Sequence, residues 1–201
     1  MANKVKIKRG LKATLPVLDV GEQGFCTDTN EYVLGSSTGN VFFSNKEEIA
    51  SQLAQIVNYV TPYCSVYHNV NQSAASNVFT TLSFNSERAD TKGMHDLSNN
   101  NSRLTCKESG KYLITANVTF SMLSAVGVRS LSLRLNGNTF IAHINNTPPA
   151  ANVEVGMNVS TIIELNENDY VEVVVYQATG SSLNINYTGD TSPEFKMIKV
   201  G

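Results

Sequence analysis

The residue types in this chain that could do chemistry are few and scattered. His68, His95 and His143 are its only histidines, and each falls in a separate stretch. His95-Asp96, following Gly93-Met94, is the pair most like a base beside an orienting acid, yet no nucleophile accompanies it. His143 alternates with Ala142 and Ile144, which places it on the face of a strand. Glu31, Glu87, Asp90 and Asp96 are the carboxylates that could supply the two-acid arrangement of glycoside hydrolysis, and spacing selects no two of them. No GxSxG, HExxH, P-loop or GxGxxG occurs. Cys26, Cys64 and Cys106 are odd in number and lack CxxC spacing, so they suit neither a disulfide framework nor a zinc site. They read as small buried thiols of a chain folded in a reducing cytoplasm. The expectation is a protein that is not an enzyme and needs neither cofactor nor metal.

A surface built from amides and hydroxyls agrees with that. Asn, Ser and Thr fill 60 of 201 positions, against 17 acids and a formal net charge of −2. Those side chains suit turns and strands better than helix interiors. The near-neutral balance argues against nucleic-acid binding, which needs clustered Lys and Arg against phosphates. No apolar run is long enough for a spanning helix, and none of signal-peptide length follows the basic start, so neither membrane insertion nor Sec export is expected. The one charge cluster is Lys4, Lys6, Lys8, Arg9 and Lys12, with no acid before Asp19. Lys4, Lys6 and Lys8 alternate with Val5 and Ile7, which fits the solvated side of an edge strand; a positive foot docking on an acidic surface is the functional alternative.

Three pieces must position these residues. Residues 1–43 are short strands punctuated by glycine. Residues 44–60 look helical: Ser44-Asn45-Lys46-Glu47 fits a capping box, and Thr61-Pro62 ends the segment. Ile49, Leu53, Ile56 and Val60 then form one apolar stripe, which either packs on the chain's own strands or joins a short parallel bundle with sister chains. Residues 65–201 are alternating strands, with a hairpin turning at Asn136-Gly137. Val171 to Tyr176 is apolar on both faces except at Glu172, a pattern that points to cover from another subunit. Many short strands with Gly/Asn/Ser turns predict a β-sandwich or jelly roll.

Both ends carry a family resemblance. Ile7-Lys8-Arg9-Gly10, Ala13-Thr14-Leu15-Pro16, Gly21-Glu22, Gly24-Phe25, Thr27-Asp28-Thr29 and Leu34-Gly35 resemble the N-terminal module of tailed-phage fibre proteins. The chain departs from that pattern in placing its aromatic, Tyr32, three residues before Gly35. Gly110-Lys111-Tyr112-Leu113, Asp169-Tyr170-Val171-Glu172-Val173 and Ser192-Pro193-Glu194-Phe195-Lys196-Met197-Ile198 are similar to the C1q/TNF-like jelly roll. Phage and bacterial versions often carry a stretch like Arg88 to Asp96 followed by Ser102-Arg103-Leu104-Thr105.

The resemblance implies a mostly β homotrimer with three parts. Residues 1–43 would be a small intertwined particle-attachment module, 44–62 a short three-helix stalk, and 63–201 a jelly-roll head. Implied particle contacts are Lys4, Lys6, Lys8, Arg9, Leu15, Pro16 and Phe25, meeting a capsid or other virion protein. Implied trimer contacts are Ile49, Leu53, Ile56, Val60, Val173, Val175 and Tyr176. The expected role is a structural protein at the virion surface, made in the host cytoplasm: a head fibre or capsid decoration for weak multivalent adhesion to host-surface or environmental glycan. The alternatives are a tail-tip receptor-binding protein, a glycan-degrading enzyme on the same scaffold, or a purely cementing role.

Overall fold

The computed structural model describes residues 7–43, 46–57, 59–189 and 191–201. The chain divides into two units, Met1–Tyr59 and Val60–Gly201. The expected cap at Ser44, and Lys4 and Lys6, lie outside the described residues.

In the first unit, β1 (Lys8–Gly10), β2 (Gln23–Cys26), β3 (Tyr32–Ser36) and β4 (Gly39–Phe43) form one sheet in that order. β1 runs parallel to β2, and the other two pairs are antiparallel. Gly35 is the tightest point: its N–H donates to the Glu22 carbonyl and its carbonyl accepts from Gly21 N–H, both at 2.9 Å. A Cβ added there would overlap the backbone carbonyl of Asp19, so only glycine fits. The Thr-Asp-Thr punctuation is equally explicable. Asp28 Oδ1 accepts the Lys12 N–H at 2.9 Å, and the Thr29 hydroxyl donates to Glu31 at 2.6 Å. Among the described residues, the core of this sheet is Leu18, Cys26 and Val33 with Leu15 at its margin. Leu11, Val17, Val20, Tyr32, Val41 and Phe43 are exposed. So small a core, with so much apolar side chain outside it, is marginal for a single chain.

The helix α1 spans Lys46–Val57. Ile49, Leu53 and Ile56 are 47%, 55% and 72% exposed, so among the described residues of the first unit nothing covers the apolar stripe. Val60, expected as the stripe's fourth member, is not helical. Pro62 disfavours helical geometry at Thr61, and the Pro62 carbonyl accepts the Lys199 N–H at 2.9 Å, drawing this segment into the sheet of the second unit.

The second unit is a sandwich. Its strands are β5 (Tyr63–Tyr67), β6 (Gln72–Ala74), β7 (Thr80–Thr81), β8 (Ser86–Asp90), β9 (Arg103–Thr105), β10 (Gly110–Phe120), β11 (Arg129–Leu135), β12 (Thr139–Asn146), β13 (Val155–Leu165), β14 (Tyr170–Gln177), β15 (Leu183–Ile185) and β16 (Glu194–Lys199). One sheet has the order β6-β15-β10-β16-β5-β8, with β13 also paired to β10; the other has β12-β11-β14-β7, with β9 also on β14. Alternation sets the core: Tyr112, Ile114, Ala116, Val118 and Phe120 of β10 face Leu131, Leu133, Val171, Val173 and Val175 of the opposite sheet in one buried cluster. The hairpin turns as the sequence predicts, with Asn136 at φ 50° and Gly137 at φ 74°.

Val173 and Val175, expected at a subunit contact, have their side chains fully buried in this core. The strand is apolar on both faces because its own chain also covers the outer side. Arg134 reaches across β14 from β11 to the Thr81 hydroxyl (2.8 Å) and to Glu172 (2.8 Å), while Phe79 lies against Tyr176 and Phe140 at centroid distances of 5.0 and 5.5 Å. Tyr176 alone of the three residues assigned on this strand stays on the outer face, half-buried.

Candidate functional site

The segment between β8 and β9 holds the groups that looked most like chemistry, and the structure makes them a scaffold. The Asp90 carboxylate accepts the N–H groups of Lys92 (3.1 Å), Met94 (2.9 Å) and His95 (2.9 Å), folding the chain around itself. The His95 side chain is buried, its Nδ1 2.8 Å from Glu87 Oε1 and its Nε2 3.1 Å from the Asn101 carbonyl oxygen. Asp96 Oδ1 accepts the N–H groups of Ser98 (2.8 Å) and Asn99 (3.0 Å), which hold its carboxyl below the usual range. Each of these side chains faces its own loop or a strand beside it, and among the described residues no nucleophile is set against them. Among the described residues, no group of three or more His, Cys, Asp and Glu side chains could hold a metal ion.

The loop so fixed borders a polar cavity of about 310 Å³. Asp96, Asn99, Asn100, Arg103, Lys107 and Asn168 line it. Asn100 and Asn168 sit at positive φ (54° and 72°), a conformation asparagine tolerates better than most residues. Arg103 lies with its guanidinium 4.6 Å from the centre of the Tyr170 ring. The sequence alone marks the carboxylates Glu87, Asp90 and Asp96 and His95 as the candidate chemistry of this region, and not Arg103 and Lys107. The available signal was the Asn99-Asn100-Asn101 run followed closely by Arg103 and Lys107.

The other assigned residues are dispersed. Lys8 pairs with Glu22 and Lys12 with Glu31, each at 2.9 Å, so those two charges are answered within the first unit. Arg9 and Pro16 are exposed, Leu15 borders the small core, and Phe25 packs edge-on to Tyr32 at 5.2 Å. His68 is partly buried, which pushes its imidazole below the ordinary value, and His143 Nδ1 lies 2.7 Å from the Ser132 hydroxyl. All three cysteines are free and buried, and burial raises the Cys64 thiol well above its ordinary range. No helix among the described residues is long and apolar enough to cross a membrane.

The comparisons agree with the two-part architecture. The family model for the major tropism determinant N-terminal domain matches residues 5–36. The crystal structure of murine APRIL at pH 5.0 is similar with a TM-score of 0.52, covering 70% of this chain and 100% of that one. It is one of 255 solved chains that match, and at 10% identity what is shared is the fold, a C1q/TNF-like jelly roll. No curated protein shows a significant sequence match. Together the comparisons support a phage fibre protein that carries a TNF-like domain.

Proposed function

We propose that this chain is a homotrimeric head fibre or capsid decoration. Residues 1–43 attach it to a virion protein, 44–62 form a short three-helix stalk, and 63–201 are a head that adheres weakly and multivalently to surface glycan. The observation that carries the reading is the order of parts: a segment matching a tropism-determinant N-terminal domain precedes a TNF-like sandwich. Two features support the trimer. The stripe Ile49, Leu53 and Ile56 is uncovered, and the first unit exposes more apolar side chain than its small core can account for. Three chains wound together would cover both. Three heads on one foot raise one another's effective concentration, which makes a weak site useful through avidity. A helix of 12 residues adds about 18 Å of reach, short for a tail fibre and suited to a decoration on the shell.

A second reading is a tail-tip receptor-binding protein, favoured by the tropism-determinant match itself. Immunogold or cryo-electron microscopy of particles, with antibody raised against the head, separates the two. Label over the capsid supports the head fibre, label at the tail tip supports the receptor binder, and particles without label overturn both.

A further inference from the structure

We propose that the cavity beside β9 binds an anionic saccharide unit, held by Arg103 and Lys107 at its acid group and by Asn99, Asn100 and Asn168 at its hydroxyls. This rests on the adhesion reading and gives it a site and a ligand class.

The charge pattern comes first. Asp96 is the one carboxylate lining the cavity among the described residues, its Oδ1 accepting the Ser98 and Asn99 N–H groups and its Oδ2 lying 3.4 Å from Asn99 Nδ2. The carboxylates that could have neutralised the two cations are engaged elsewhere. Glu172 sits directly across from Arg103 in the β14–β9 ladder, yet both its contacts go to Arg134, at 2.8 and 3.1 Å. Glu108, next in sequence to Lys107, pairs with Lys92 at 3.1 Å and Lys199 at 3.5 Å. Among the described residues, Arg103 rests on Tyr170 with no carboxylate partner, and the Lys107 side chain has no hydrogen bond or ion pair. Two unanswered cations at one polar cavity attract an anion, and a guanidinium is suited to a carboxylate or phosphate through paired N–H groups.

The neutral groups then narrow the class. Asn99, Asn100, Asn168 and the Thr105 hydroxyl offer donors and acceptors side by side, which is what adjacent sugar hydroxyls require. The apolar side chain at the cavity, Met94, is buried and offers no pocket for an aliphatic or aromatic group, so a peptide carboxylate has nothing to anchor its side chains. Two cations on a chain of net charge −2 fall far short of the basic track that a nucleic-acid backbone needs. The volume lies at the small end of ligand sites, matching one sugar residue rather than a long chain. The scaffold of Asp90 and His95 holds the loop in shape before any ligand arrives, which lowers the ordering cost of binding.

Calorimetric titration of the full-length protein at low salt tests this with three probes: trigalacturonate, the neutral trisaccharide maltotriose, and glucose 6-phosphate. The expected result is that at least one anionic sugar binds about tenfold or more tightly than maltotriose, with the carboxylate and phosphate arms telling which acid group is read. Lys107→Glu and Arg103→Gln each weaken that binding by at least about tenfold, as loss of one charge-assisted contact implies. Lys107 is exposed and unbonded, so Lys107→Glu keeps the fold and decides the matter if Arg103→Gln does not fold. Anionic sugars that bind no better than maltotriose, or binding that survives Lys107→Glu, overturn the assignment. Adhesion of the same preparation to host cells is measured alongside. Adhesion untouched by Lys107→Glu and by excess trigalacturonate overturns the pocket while leaving the fibre reading intact; absence of adhesion to any cell surface removes the reading itself.

Discussion

Single residues carry much of the first unit, because its core is too small to do so. Gly35 admits no side chain beside the Asp19 carbonyl. Gly35→Ala is therefore expected to cost about 1–3 kcal/mol, the range for forcing extra atoms into a filled space, and to broaden or shift backbone NMR signals from Gln23 to Ser36 while those of the sandwich stay put. Glu31 gives the unit a pH dependence. Its carboxyl is held below the ordinary 4.5, first by the Thr29 hydroxyl and next by Lys12. A carboxylate whose folded value is depressed contributes stability that is present above its unfolded value and lost as pH falls through the folded one. The first unit should thus loosen below about pH 4.5, and Glu31→Gln should flatten that part of a pH-melting profile followed by signals of the first unit. A profile unchanged by Glu31→Gln would show that the Thr29–Glu31–Lys12 link does not contribute.

At the scale of elements, the helix is the piece whose apolar stripe stands exposed. Leu53→Asp places a charge in the middle of the uncovered stripe. If three helices meet there, light scattering should show the mass of about 65 kDa, three chains of 21.8 kDa each, fall toward that of one chain. An unchanged trimer would place the association in the other parts. The elements were largely legible in the sequence, and for local reasons. Strict alternation over 112–121 marks β10, and Asn136-Gly137 marks the hairpin because those residues accept positive φ. The outer cover of β14 was not legible. A strand apolar on both faces looks the same whether a subunit or the chain's own Arg134 and Phe79 covers it, since the covering groups are distant in sequence. The cavity was hidden for a similar reason: Lys107 and Asn168 are neighbours only after β13 has returned beside β10. The scaffold role of His95 and Asp90 likewise depends on Glu87 and Asn101 arriving from either side.

For the molecule as a whole, the division of labour follows from where charge and apolar surface fall. Apolar side chain is exposed on the first unit and α1, and also on the sandwich, at Phe79, Met122, Phe140 and Ile162 among others, while the cavity beside β9 is polar and lined by Arg103 and Lys107. The three thiols show how such a chain would age. A particle leaves the reducing interior of a cell for air and peroxide, and waits there before use. Cys26, Cys64 and Cys106 are each sealed inside a core, and at Cys64 burial suppresses the reactive thiolate. Oxidants therefore find little thiol to attack and neighbouring particles find no exposed sulfhydryl to couple with, so the three cysteines stay reduced outside the host.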